Sequence, residues 1–266
     1  TPPLAGPTLR AVPELTAAHY LLLFAAGLAA GLVDAIAGGG GLIALPAVLS
    51  TGLPVPLALG TNKLGSVFGT ASATWSYARR GAGDLRECLP GALVTAIGAT
   101  AGALTVRHLD ANLLAKAIPF LLGAIVVYLI FKPQLGETDR HHRLGPLAFY
   151  ALFGLGLGFY DGFFGPGVGS FWTIAFVMVL GHNFLRAAGH TKVMNFASNA
   201  AALAFFSFAG QVLLWPGLAL GAGQLVGARL GAHLALTRGA RFVRPIFLVM
   251  AGLTVLKLLY QHYVRS

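Results

Sequence analysis

Long stretches without charge constrain this chain more than any other feature. Between Lys192 and Arg229 lie 36 residues with no Asp, Glu, Lys or Arg. Asp34 to Lys63 encloses 28 such residues, Asp161 to Arg186 encloses 24, and Glu87 to Arg107 encloses 19. A membrane-spanning helix needs about 20 mainly apolar residues, so several such runs predict an all-α polytopic membrane protein. A β-barrel would alternate in segments of roughly 10 residues, and this chain does not alternate. In hydrocarbon the backbone must satisfy its own hydrogen bonds, which leaves helices.

Composition removes the other classes. Of 266 residues, 56 % are hydrophobic and 10 % charged, where soluble domains carry about 25 % charged residues. Mean hydropathy is +0.77. The net charge of +10 comes from only 8 acids set against 18 bases. A nucleic-acid binder would carry a denser basic patch. A single cysteine excludes an intramolecular disulfide and a cysteine-based metal site. The sequence contains no G-x-x-x-x-G-K-[ST] phosphate loop and supports no nucleophile–base pair, so neither an enzyme nor a cofactor is expected.

Ten helical pieces are predicted, near 17–37, 42–53, 57–79, 88–107, 112–131, 146–164, 168–181, 184–209, 214–235 and 241–263. The second and seventh are too short to cross a bilayer at 1.5 Å per residue. Gly-rich breaks precede both, Gly38-Gly39-Gly40-Gly41 and Gly165-Pro166-Gly167. Residues 1–16 form a Pro-rich N-terminal extension, not apolar enough for a signal peptide. The charged stretch within 132–145 is expected to link two halves, 17–131 and 146–263.

The halves repeat one another. Asp34 and Asp161 each precede a break by four residues, and Gly60-Thr61-Asn62-Lys63 matches Gly189-His190-Thr191-Lys192. Pro90-Gly91 matches Pro216-Gly217, and Pro119 matches Pro245. The offsets stay between 126 and 129 residues, as an internal repeat requires. If the loop carrying Arg79, Arg80 and Arg86 is cytoplasmic, 12 of the 18 basic residues fall on or near the inside. The positive-inside rule then places both termini outside and the linker inside. Matching loops lie on opposite sides, so the repeats are expected to be inverted. Inverted repeats with interrupted helices are the pattern of secondary transporters, and the interruptions point to the binding site.

Three constellations could serve such a site. The Gly-rich breaks at Gly38, Gly39, Gly40, Gly41, Gly165 and Gly167 let the backbone leave the helix and restart it, presenting free N–H groups to an anion. Close helix packing is the alternative reading, and Gly154, Gly156 and Gly158 suit that role better. A polar stripe runs through Lys63, Ser66 and Thr70, and again through Lys192, Asn195 and Asn199, with Asn62 and Thr191 beside the lysines. Spacing of i, i+3, i+7 places each set on one helix face, which should look into the bundle. Snorkelling of the lysines to an interface is the alternative. Asp34 and Asp161 are costly in apolar segments; they either cap the breaks or couple protons. On this reading Lys63→Ala should abolish anion binding in a protein that still folds. The histidines offer no metal set: His141 and His142 sit in the charged linker, and His182, His190 and His233 look isolated.

The run Gly31-Leu32-Val33-Asp34-Ala35-Ile36-Ala37-Gly38-Gly39-Gly40-Gly41-Leu42, followed by Gly60-Thr61-Asn62-Lys63, resembles the TauE/SafE sulfite exporter family. In the second half, Gly158 to Ser170 and then Thr191-Lys192 are similar to that family's second repeat, with Pro166 and Val168 in place of two glycines. The resemblance covers about 17–263. It implies a transporter of a bacterial inner membrane for sulfite, for organosulfonates such as sulfoacetate or taurine-derived compounds, or for related small anions. The resulting expectation is a secondary transporter, an exporter working by alternating access in a lipid bilayer. A passive anion channel, a transporter of a non-sulfur organic anion, a membrane enzyme and a non-transporting scaffold are the competitors.

Overall fold

Each break in the apolar pattern becomes a break between helices. The computed structural model describes residues 14–106, 138–139, 141 and 143–263. Helix α1 (Ala17–Ala37) stops at Gly38, whose φ of +79° is left-handed and whose N–H donates to the Asp34 carbonyl. Helix α2 (Gly41–Leu49) follows, and α3 (Val55–Ala78) starts behind Pro54. Helix α4 (Leu85–Thr105) is capped by the Asp84 carboxylate, which accepts from the Arg86 and Glu87 N–H groups. This is the usual way to satisfy free N–H groups of a first turn.

Helix α5 begins with Pro146–Phe149, passes a π-helical turn Tyr150–Gly154 and continues through Leu155–Phe163. Gly165 and Gly167 then take positive φ, and α6 (Val168–Met178) restarts the chain. Asn183 caps α7 (Phe184–Phe208), and α8 (Leu214–Arg238) and α9 (Ala240–Tyr263) complete the order. No strand occurs among the described residues. The predicted segment 112–131 and most of the linker lie outside them.

The lengths sort the helices by role. With 9 and 11 residues, α2 and α6 reach roughly 14 and 17 Å, about half a hydrocarbon core of 30 Å. Among the described helices, α1 and α4 are long and apolar enough to cross a membrane. Helices α3, α7, α8 and α9 have the length; in α3 and α7 the polar stripes dilute the apolar content. Large side chains face outward along the bundle: Leu21, Leu93, Ile97, Leu152 and Phe208 are all exposed. That much outward apolar surface suits a protein surrounded by lipid tails.

Packing pairs the halves crosswise. Helix α1 lies on α8 and α5 on α4; α3 packs on α8 and α7 on α4; α3 and α7 cross each other. The first two contacts use one device. Gly27, Gly31, Gly223 and Gly227 meet main-chain carbonyls across the α1–α8 seam, and Gly98, Gly102, Gly158 and Gly162 do so across α4–α5. A Cβ at any of them would sit closer than 3.0 Å to a carbonyl oxygen. Small residues that admit backbone-to-backbone approach drive helix association in membranes. Gly154 shares this packing, against Val94, but Gly156 faces open space, so its expected packing role is not present.

Candidate functional site

Asp34 and Lys192, and Asp161 and Lys63, form two ion pairs that cross between the halves. Lys63 Nζ donates to Asp161 Oδ1 at 2.6 Å, to the Asp161 carbonyl at 2.6 Å and to Asn199 Oδ1 at 3.0 Å. Lys192 Nζ donates to Asp34 Oδ2 at 2.8 Å and to the Asp34 carbonyl at 2.6 Å. The lysines, both more than two turns into their helices, are 3 % and 1 % exposed. Snorkelling is thereby excluded. A buried ion is tolerated only with close partners, and each ammonium here has them.

The carboxylates also brace the breaks, by different routes. Asp34 Oδ1 accepts from the Gly40 N–H at 3.1 Å. Asp161 accepts a short hydrogen bond from the Ser198 hydroxyl through Oδ2. The capping role read from sequence therefore holds for Asp34 in the hydrogen-bond sense. At the second break no backbone N–H bond to Asp161 is formed; instead Gly165 lies so close that a Cβ there would meet Asp161 Oδ1 and Lys63 Nζ.

These groups surround a small cavity of about 30 Å³. Gly38, Gly40, Gly41, Asn62, Lys63, Ser66, Thr70, Gly165, Gly167, Asn195 and Asn199 line it together with Asp34 and Asp161. The two breaks touch, Gly38 against Gly169 and Gly41 against Pro166. The N-terminal ends of α2 and α6 thus meet on one space, where helix N–H groups lack partners within the helix. Gly39, Thr191 and Lys192 are not in the lining. Thr191 is fully buried and shares a hydrogen bond of 3.2 Å with Thr173. Lys192 acts on the cavity through Asp34.

Sequence reasoning missed Gln224. It reaches the cavity from α8, is 5 % exposed, and its Nε2 has no hydrogen-bond partner. The signal was available, because an amide inside an uncharged run is expected to face the bundle interior. Asn62 Oδ1 and Asn195 Oδ1 are likewise buried without a partner. Buried polar atoms are nearly always hydrogen-bonded, so three open amide atoms around one cavity mark a place for a ligand or water. Lys63 is different in kind. Its removal would strand Asp161, so the expectation that Lys63→Ala leaves the fold untouched does not survive this geometry.

Two expectations about histidine also change. His182 and His190 are not isolated: their ring centroids lie 4.7 Å apart. His233 Nδ1 lies 3.4 Å from an Arg80 guanidinium nitrogen. Outside the helices, backbone N–H bonds from Glu87 and Arg86 hold the exposed Asp84 carboxyl below its usual range.

Comparison with known proteins places the chain among membrane transporters. The sulfite exporter TauE/SafE family matches residues 23–258. A probable membrane transporter protein, ORF9, of a Sinorhizobium species is 45 % identical over 91 % of this chain and 94 % of its own length. A probable membrane transporter protein of Haemophilus influenzae is 44 % identical, covering 90 % of this chain and 94 % of itself. The probable membrane transporter protein YfcA of Escherichia coli K12 is 38 % identical over 91 % of this chain and 90 % of its own. No solved structure matches the chain. The chain belongs to the TauE/SafE sulfite exporter family, a family of membrane transporters and not of enzymes.

Proposed function

We propose that the protein is a secondary transporter that exports a small sulfur oxyanion, sulfite or a compact organosulfonate, across a bacterial inner membrane. The two halves act as inverted repeats and alternate access to one site between the glycine breaks. Both termini lie outside and the 132–145 linker is cytoplasmic. The crosswise packing of α1 on α8 and α5 on α4 supports the repeat reading.

The carrying observation is the charge balance of the cavity. Lys63 and Lys192 are matched by Asp161 and Asp34, so these four side chains sum to zero. The starts of α2 and α6 add about half a positive charge each. Together they give the cavity room for roughly one negative charge. Gly38, Gly40, Gly41, Gly165 and Gly167 supply close backbone. Asn62, Ser66, Thr70, Asn195 and Asn199 offer hydrogen-bonding groups for oxyanion oxygens, and Gln224 adds its free N–H. Thr191 and Lys192 hold this shell from behind. The cavity of about 30 Å³ favours the smallest anions and must widen for sulfoacetate.

The test is thermal stabilisation of the detergent-purified chain by sulfite, sulfate, thiosulfate, sulfoacetate, taurine, acetate and chloride. A ligand at 100 times its Kd stabilises by about 2.7 kcal/mol. Sulfite or a sulfonate should raise the melting midpoint while acetate and chloride leave it unchanged. A midpoint insensitive to every anion would contradict the anion site.

A further inference from the structure

A second cluster of ligand-type side chains lies away from the cavity, where α4 meets the α6–α7 connection and α7. Glu87, His182 and His190 each bring one donor atom to within 4.8 Å of the others. His190 Nε2 stands 3.9 Å from Glu87 Oε2, too far for a hydrogen bond. His182 and His190 are 6 % and 1 % exposed, and Nδ1 of each is buried with no partner. Two neighbouring orphan imidazole nitrogens are unusual, because buried polar atoms are almost always satisfied. Phe176 backs the pair, stacked on His182 and edge-on to His190.

Fold requirements do not account for the histidine. Thr61 occupies the position of His190 in the first half's matching Gly60-Thr61-Asn62-Lys63, and its hydroxyl accepts the Leu213 N–H at 3.0 Å. A hydroxyl thus suffices where the repeat needs a buried contact. The second half carries an imidazole there and places a second imidazole and a carboxylate beside it.

We propose that Glu87, His182 and His190 bind a divalent metal ion of the zinc type. Two imidazoles and one carboxylate favour zinc, cobalt or nickel over calcium or magnesium, which prefer all-oxygen shells. Zinc bonds of about 2.0–2.2 Å require the donors to draw in to roughly 3.3 Å from one another. Glu87 is about one-third exposed. Arg186 holds both its oxygens, at 3.2 and 2.9 Å, and is itself held by Asp139. A carboxylate oxygen has a second lone pair for the ion. A neighbouring cavity of about 590 Å³, rimmed by Asp84, Glu87 and Asp139 but also by Arg80 and Arg186, reaches His190. It provides the entry path and the water for the remaining coordination position. The ion would tie α4 of the first half to α7 of the second, outside the lining of the anion cavity.

The experiment is zinc titration by calorimetry of the chelator-stripped full chain, with cobalt as the spectroscopic probe. The wild type should take up about one zinc ion per chain and give cobalt ligand-field bands of a low-coordinate nitrogen–oxygen site. His182→Gln and Glu87→Gln should each weaken zinc binding at least about tenfold, while His233→Gln, at an exposed position, should not. Absence of saturable zinc binding and of cobalt bands in the wild type would overturn the proposal, whatever the variants do. Zinc binding unchanged in both His182→Gln and Glu87→Gln would overturn it as well.

Discussion

At the scale of single residues, the site separates groups that hold the fold from groups that are free to bind. Lys63 carries three hydrogen bonds to Asp161 and Asn199. Removing one partner of a buried ion pair costs about 3–5 kcal/mol, because the other charge is left behind. Lys63→Ala should therefore lower the melting midpoint sharply, and its loss of anion binding alone would not reveal a substrate contact. Gln224 Nε2 has nothing to lose. Gln224→Leu should keep stability within about 1 kcal/mol yet weaken sulfite binding several-fold in the thermal-shift titration. Unchanged affinity in a stable Gln224→Leu protein would remove Gln224 from the binding shell. The lysines, both aspartates and the polar stripe were legible in the sequence, since polar groups in apolar runs must face inward. That each lysine would find the other half's aspartate was not legible, because spacing along one helix carries no information about the helix opposite.

At the scale of elements, glycine decides both where helices stop and how closely they approach. The breaks after α1 and α5 were readable as Gly runs, and so were the short lengths of α2 and α6. Their contact at Gly38 and Gly169 depends on the crosswise packing and left no mark on either segment. The π-helical turn Tyr150–Gly154 was invisible too, since the apolar pattern of 146–164 continues through it. Gly162→Ala must push α5 off the Ala99 carbonyl, a clash costing about 1–3 kcal/mol. Gly156→Ala meets nothing within 4 Å and should be neutral or stabilising, by up to about 1 kcal/mol from helix propensity. Equal melting midpoints for the two variants would contradict the glycine seam.

The start of α4 offers a pH test of its cap. Asp84 is lowered below the usual 3.8 by the Glu87 and Arg86 N–H groups. A depressed carboxylate stabilises the fold above its unfolded value, and the contribution is lost as pH falls through the folded value. Asp84→Asn keeps the cap and removes the charge. The wild type should therefore melt higher than Asp84→Asn near neutral pH, with the difference closing below about pH 4. A difference that stays constant across this range would assign the effect to something other than the charge on Asp84.

At the scale of the whole molecule, residues of both halves line one small cavity, with a helix start from each side. Charge-free runs announced the all-helical, membrane-type architecture. The cluster of Glu87, His182 and His190 stayed hidden, because its members are spread over 87 to 190 and meet only through folding. The central claim is that the cavity between the breaks carries a sulfur oxyanion across the membrane. The most direct measurement is sulfite flux into liposomes containing the purified protein, with wild type and Gln224→Leu side by side. The account predicts saturable flux, exchange with sulfite loaded on the far side, competition by small sulfonates but not by acetate or chloride, and a raised half-saturation concentration in Gln224→Leu. Flux no greater than in protein-free liposomes, or flux rising linearly with sulfite and blind to the opposite side, would contradict it.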